Sequence, residues 1–373
     1  MIPYGHQWID DDDVDAVVRV LKSDWLTTGP CVAEFEQALC SYTGAKNAIA
    51  VNSATSALDI AVQSLDLPRG SEIITTPFTF AATANSILFN GHIPVFADIQ
   101  RETRNIDPES IRSKITKKTR AIMYVDYAGQ PCDIEEIRAI ADEYNLLLIE
   151  DAAHALGASY RNKKVGTFAD ITVFSFHPVK PITTAEGGAA LTDNPVLAER
   201  MRLLRSHGIK KEISPQANSG KAWEYDMVML GRNYRITDLQ AALGISQMTK
   251  IDTFISKRNE LASYYHKHLK DIPFLELPTT TPGVHHGWHL YTLLVTGIER
   301  DSFFDYLREQ EIGVNVHYIP TYRFSYYKDH LPTEVTGYPV TEDVFSRIIT
   351  LPLYPGINSQ MTDFVIEKIR AYG

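Results

Sequence analysis

The chain has 373 residues, 44% of them hydrophobic, which is enough for a large α/β unit plus a smaller one and too apolar for a disordered or linker-like polypeptide. A formal net charge of -10 argues against non-specific nucleic-acid binding, which needs a positive surface to displace counterions, while leaving room for a local basic patch that would serve one diphosphate. No apolar run reaches membrane-spanning length, the first residues lack the basic start and apolar core of a secretory signal, and Cys31, Cys40 and Cys132 have neither paired nor metal-ligating spacing, so a cytoplasmic protein without a metal is expected.

Asp10 to Asp13 open a stretch from Trp8 to Lys22 that carries Val14, Val17, Val18 and Leu21 on one face, and an amphipathic lead helix is expected there. The turn Thr27-Thr28-Gly29-Pro30 breaks it, and Val32 to Tyr42 resumes helical spacing through Phe35, Ala38 and Leu39. From Ala48 to Thr192 the apolar runs AIAV, EIITT, IPVFAD, AIMYVDY, LLLIED, ITVFSF and GAALT alternate with helical stretches at about 54–65, 81–90, 107–115 and 134–144. That alternation predicts a mainly parallel, doubly wound sheet. Residues 208–225 are polar and punctuated by Gly and Pro, a long loop of the kind that serves as a functional lid. Thr237 to Gln240 form a capping box that opens a helix with Leu239, Leu243 and Ile245 near its buried side. A helix over 251–269, strands over 288–295 and 314–318 and a closing helix over 361–371 make a small α+β unit, so the expected division is 1–245 and 246–373.

Three places in the first unit carry chemistry. Lys180 follows the strand ITVFSF in SFHPVKPITTAEGG; a lone lysine after a strand is ordinarily a solvated charge, and its company decides otherwise. The run Leu146 to Ile149 reads as a strand buried on both faces that empties into Glu150, Asp151 and His154, the end of the sheet at which open α/β folds place ligands. Asn52-Ser53-Ala54-Thr55-Ser56 is a small, hydroxyl-rich turn that opens a helix and suits a phosphate. An anion seat, a buried acid and a lysine are together what pyridoxal 5'-phosphate requires. Neither a GxGxxG after the first strand nor a Walker lysine motif occurs, which leaves nicotinamide and ATP readings weak.

At these residues the chain resembles the DegT/DnrJ/EryC1 sugar aminotransferases, of aspartate-aminotransferase fold type I. The likeness runs through WLTTGP (Trp25 to Pro30), NSATSAL (Asn52 to Leu58), TTPFTFAATANSI (Thr75 to Ile87), EDAAHALGASY (Glu150 to Tyr160), SFHPVKPITTAEGG (Ser175 to Gly188), RSHG (Arg205 to Gly208) and GRNYRITDLQAALG (Gly231 to Gly244). Within that group, VDYAG and KPITTAEGGA are most similar to the branch that aminates a UDP-linked 4-keto-6-deoxy-N-acetylhexosamine in pseudaminic acid pathways. The resemblance implies ping-pong transfer, with glutamate as donor, in a homodimer whose subunits share their sites.

On that reading Lys180 holds the cofactor as an imine and then shuttles the proton, and Asp151 pairs with the pyridinium nitrogen, its alternative being a helix cap or structural ion pair. The phosphate is held by the backbone of Ala54 and Thr55, the hydroxyls of Thr55 and Ser175, and Asn233 from the partner subunit. Phe80 stacks on the ring or is a plain core aromatic, and His154 touches the phenolic oxygen or is a satisfied core histidine. Thr28, His317, Tyr318, Tyr322 and the pair Lys210-Lys211 are the substrate candidates, the lysines for the diphosphate and Tyr322 with packing as its bland alternative. The family also contains dehydratases with a histidine where the lysine stands, and a non-catalytic sensor is a third class; Lys180 weighs against both.

Overall fold

The computed structural model describes residues 1–210, 221, 223–331 and 337–372. Its centre is a seven-stranded sheet of β1 (Asn47–Val51), β2 (Glu72–Thr75), β3 (Ile93–Phe96), β4 (Thr119–Val125), β5 (Leu147–Asp151), β6 (Ile171–Ser175) and β7 (Gly188–Thr192), in the order β1-β7-β6-β5-β4-β2-β3. The pairs β2/β3, β2/β4, β4/β5 and β5/β6 are parallel, as the alternation predicts. Only β7 runs against its neighbours β6 and β1. The chain between β6 and β7 makes a helix-free excursion, and without a crossover helix the return strand comes back antiparallel.

The helices covering this sheet are α1 (Asp11–Leu21), α2 (Pro30–Thr43), α3 (Ala54–Ser64), α4 (Ala81–Phe89), α5 (Pro108–Lys114), α6 (Ile134–Tyr144), α7 (Pro195–Arg205) and α8 (Asp238–Met248). Thr237 and Gln240 cap α8 reciprocally, as its sequence requires. In α1 the buried face differs from expectation: Asp13, Ala16 and Val20 turn inward, while Val14 and Leu21 stay exposed. The cause is Asp13, which takes a hydrogen bond from Gln247 at 2.7 Å and an ion pair from Lys250 at 2.9 Å and so fixes the rotation of the helix.

Beyond α8 the long helix α9 (Ile251–Leu269) leads to a three-stranded antiparallel sheet of Leu275–Glu276, Tyr291–Val295 and Ile348–Leu351. It is covered by α10 (Arg300–Glu309) and α11 (Ser359–Tyr372) over a core of Tyr265, Leu293, Phe303, Leu307, Val365 and Ile369. The expected strand over 314–318 is absent: Asn315 makes one bridge to Thr350, and its side chain then takes the N–H of Val316, so no ladder extends. The first residues of the chain belong to this end of the molecule, Ile2 bridging Ile312 and the N–H of Leu353 donating to the carbonyl of Tyr4. No helix among the described residues is long and apolar enough to cross a membrane, and no cluster of His, Cys, Asp and Glu among them could hold a metal ion.

Candidate active site

A cavity of about 620 Å³ opens at the carboxyl ends of β4, β5 and β6 and is closed on its far side by residues 315–319 and Tyr4. Strand periodicity sorts the two acids that end β5. Successive side chains point to opposite faces, so Asp151 enters the cavity while Glu150 turns into the core behind. Asp151 Oδ2 accepts from the Thr83 hydroxyl at 2.7 Å and Oδ1 from the N–H of Ala153 at 3.2 Å. Burial raises its pKa above the usual carboxylate value, against the lowering effects of Thr83, Ala153 and Lys180. A cationic group placed against it would reverse that shift.

Lys180 sits on the excursion between β6 and β7, which is pinched at its base. The carbonyl of Phe176 accepts from both the N–H of Thr184 and the Thr183 hydroxyl, and Phe176 itself donates to Gly187. The N–H of Lys180 closes a turn onto His177 at 2.9 Å. Its amine lies 3.4 Å from His289 Nε2. Burial pulls the pKa of Lys180 down to about 8, with Asp151 opposing and Arg258 assisting.

At the other end of the cavity stands the first turn of α3. Ser53 caps it by accepting from the N–H of Ser56. The N–H groups of Ala54 and Thr55 precede any intrahelical acceptor, and both residues line the cavity beside Ser175. The neighbouring strand must be very thin here: a Cβ on Gly188 would lie 2.5 Å from the Ala54 nitrogen. This bare helix start fits a phosphate, the carboxylate of Asp151 fits a protonated ring nitrogen, and the amine between them fits an aldehyde, so the residues present suit pyridoxal phosphate.

His154 receives the N–H of Ala128 on Nδ1 at 3.2 Å, which leaves the proton of the neutral ring on Nε2, donated to the Tyr318 hydroxyl at 3.0 Å. Burial, then Lys180 and His317, hold its pKa well below the usual histidine range. His317 also lines the wall, with Nδ1 at 2.8 Å from the Thr350 hydroxyl, and burial pushes its pKa down to about 3. Phe80 stands at the mouth, 62% exposed, its ring 6.2 Å from that of Tyr318, and is therefore no core aromatic.

The structure thus brings together Ala54, Thr55, Phe80, Asp151, His154, Ser175, Lys180, His317 and Tyr318. It does not bring Tyr322, which is fully buried against Phe96 and Tyr338 with its hydroxyl on Glu342; that expected substrate contact is corrected to a packing residue. Thr28, Asn233 and Lys210 are exposed and outside the cavity of their own chain, Lys210 lying 4.0 Å from Glu199, and Lys211 falls outside the described residues. The sequence reading misses His289, Thr83 and Tyr4. For His289 a signal existed in the run of three histidines His285, His286 and His289.

A mainly parallel sheet with a bare helix start, an inward acid and a half-buried lysine at its carboxyl edge defines a pyridoxal-phosphate enzyme of fold type I. The sequence profile described as the DegT/DnrJ/EryC1/StrS aminotransferase family matches residues 7–370. The chain belongs to that family and is a PLP-dependent sugar aminotransferase. It is 44% identical, over 99% of its length and 96% of the relative's, to the UDP-4-amino-4,6-dideoxy-N-acetyl-beta-L-altrosamine transaminase of Campylobacter jejuni. Among solved structures it resembles Helicobacter pylori PseC, an aminotransferase of pseudaminic acid biosynthesis, with TM-score 0.92 and 36% identity over 99% of this chain and 98% of that one. The PLP form of Streptococcus pneumoniae Spr1654 matches at TM-score 0.93 and 31% identity, covering 99% and 98% of the two chains.

Proposed function

We propose that this aminotransferase moves an amino group from glutamate to the C4 keto group of a UDP-linked 4-keto-6-deoxy-N-acetylhexosamine, in a pathway of the pseudaminic acid type. One observation carries the chemistry: the amine of Lys180 and the carboxylate of Asp151 share a single cavity with the first turn of α3. The names of the Campylobacter and Helicobacter relatives support the choice of substrate.

When bound, pyridoxal phosphate supplies a sink for the electrons released as a C–H bond breaks beside the transferred nitrogen. The N–H groups of Ala54 and Thr55 and the hydroxyls of Thr55 and Ser175 would hold its phosphate, Asp151 would serve the ring nitrogen, Phe80 would cover the ring and His154 would serve the phenolic oxygen. Lys180 would hold the aldehyde and, when free, would carry the proton. A pKa near 8 leaves a useful fraction of neutral amine close to neutral pH, as a proton carrier needs. His317 and Tyr318 form the wall that meets the sugar.

The functional unit is a homodimer. Trp25, Leu26, Phe80, Met227 and Leu230 are exposed apolar side chains of the kind that mark a subunit interface. Asn233, exposed and not among the residues lining the cavity of its own chain, completes the phosphate site of the other subunit. Residues 1–245 form the cofactor-binding unit, and 246–373 close over it.

The test of substrate is to convert loaded protein to the pyridoxamine form with glutamate and measure which of a panel of UDP-4-keto and dTDP-3-keto sugars restores the original absorbance. The UDP-4-keto-6-deoxy-N-acetylhexosamine should give the highest kcat/KM. A preference for dTDP-3-keto sugars removes the pathway assignment and leaves the aminotransferase. For the shared site, Lys180→Ala subunits exchanged with a strongly impaired Asn233 variant should recover about a quarter of wild-type activity per site, because each mixed dimer keeps one intact site. Demonstrated exchange without recovery places Asn233 in the site of its own chain.

A further inference from the structure

His289 lies in the cavity wall, yet none of the roles above uses it. The segment that delivers it is built with unusual rigidity. The N–H of Gly287 donates to Gly129 at 2.8 Å and that of His289 to Ala128 at 2.9 Å. Between them Trp288, at φ +42°, donates its N–H to His286 Nδ1 at 2.8 Å and stacks on that ring at 3.8 Å. Gly129 approaches so closely, at φ +96°, that a Cβ there would stand 2.8 Å from the carbonyl oxygen of His154 and 3.1 Å from the nitrogens of Trp288 and His289.

Beneath this segment lies Arg258 of α9, only 1% exposed and without a carboxylate partner among the described residues. Its Nη1 points at the carbonyls of Trp288 at 3.1 Å, His289 at 3.3 Å and Leu353 at 3.1 Å. A guanidinium is a planar, fixed set of donors, so directing it at two consecutive carbonyls clamps the backbone that carries the imidazole.

The imidazole so delivered has one engaged nitrogen. Nε2 is 3.4 Å from the Lys180 amine, while Nδ1 is buried and has no partner among the described residues. The His154 ring lies 4.4 Å away, and the charges of Lys180 and Arg258 add to burial in keeping His289 neutral. A lysine always has an N–H to give, but its ammonium form has no lone pair to receive one. Only an accepting Nε2 therefore serves Lys180 in both protonation states.

From this geometry we infer that His289 is a positioning residue for Lys180: its Nε2 accepts a hydrogen bond from the free amine and berths it whenever it is released from the cofactor, with the ring proton on Nδ1. The inference rests on the reading of Lys180 as proton carrier. Without the berth, the flexible four-carbon stem leaves the amine free to move off its line of transfer.

The contact can be read without turnover. Protein labelled with 15N-histidine and stripped of cofactor should show one ring with bare Nε2 and protonated Nδ1, identified by its loss in His289→Gln, whose Nε2 resonance moves in Lys180→Met. A His289 ring protonated on Nε2, or one indifferent to Lys180→Met, overturns the inference even if Lys180 proves indispensable. In the loaded enzyme, His289→Ala should lower kcat by about 10- to 100-fold at unchanged KM, the scale of a misplaced reacting group. His289→Gln, whose amide oxygen can accept in nearly the same place, should recover most of that loss. Equal losses in both variants, in step with lost thermal stability, make His289 a packing residue and refute the berth.

Discussion

Glu150 and Asp151 are neighbours in sequence, both buried, both acids, and their surroundings give them opposite fates. Asp151 faces a cavity, has a donor on each oxygen and looks across at a lysine. Glu150 lies behind the sheet with Asp126, Tyr124 and Cys132, and accepts from the Thr172 hydroxyl at 2.7 Å. Glu150 Oε1, Asp126 Oδ2 and the Tyr124 hydroxyl have no partner among the described residues while both acids are ionised. Two buried carboxyls without a cation hold a proton between them, and burial accordingly raises Asp126 well above the carboxylate range and Glu150 to about 7. The lesson is that depth alone does not mark a functional acid: what separates the two is an opening for a ligand and a basic group across it.

The largest effect should come from the basic side of that contrast. If Lys180 has the proposed role, Lys180→Ala removes tether and proton carrier together and should cost more than about 10⁴-fold in kcat, the upper range for proton transfer alone. Its melting temperature should stay near wild type, since no core contact is lost. Multiple turnover above contaminating wild type would remove Lys180 from its role.

Next comes the acid itself. Asp151→Asn should keep phosphate-anchored cofactor yet lose about 10²- to 10³-fold in kcat, as when one preorganised electrostatic partner is deleted. Glu150→Gln, one residue away, should keep kcat within a few-fold. Equal losses in the two variants would erase the distinction between the faces of β5.

The same pair separates by pH. The folded chain holds more protons than the unfolded chain between Glu150's ordinary value of 4.5 and its folded value of about 7, so this group's contribution is complete below that window and lost as pH rises through it. Measured against Glu150→Gln, wild type should lose at most about 3 kcal/mol of stability across the window. Parallel stability profiles for the two proteins would show that the hidden pair does not titrate there.

The smallest effect is expected where an aromatic near the site is only packing. Tyr322→Phe removes a hydroxyl bonded to Glu342 and should cost about 1 kcal/mol of stability with kcat/KM unchanged. A raised KM for the sugar nucleotide would return Tyr322 to the substrate pocket.

Much of this site was legible in the sequence because its parts are local. Lys180, Asp151 and the Ala54-Thr55 turn each sit at the end of a strand whose apolar run is unmistakable, and strand ends on one edge of a parallel sheet converge. The segment that carries His289 was not legible in the same way. His289 reads as an ordinary strand residue until Ala128, Gly129 and Arg258 bend and clamp its segment, contacts that join distant parts of the chain. The inward turn of Asp13 in α1 depends likewise on Gln247 and Lys250, and the antiparallel β7 on a loop whose path no periodicity encodes. Helices α7 and α10 are absent from the expected elements although α7 begins with a capping Asn194 and Pro195, a local signal that was there to be read.

The docking of Ile2 and Tyr4 against Gly313 and Leu353 has a consequence for biosynthesis. Tyr4 leaves the ribosome first, yet its partner at residue 353 follows only after nearly the whole chain has been translated, tens of seconds later at about 5–20 residues per second. A nascent chain that has emerged as far as β7 already carries the first turn of α3, Asp151 and Lys180, but its Tyr4 is still undocked and His317 and Tyr318 have yet to be made. The floor of the cavity is thus available to fold during translation, and the chamber is sealed only when Ile2 and Tyr4 meet Gly313 and Leu353.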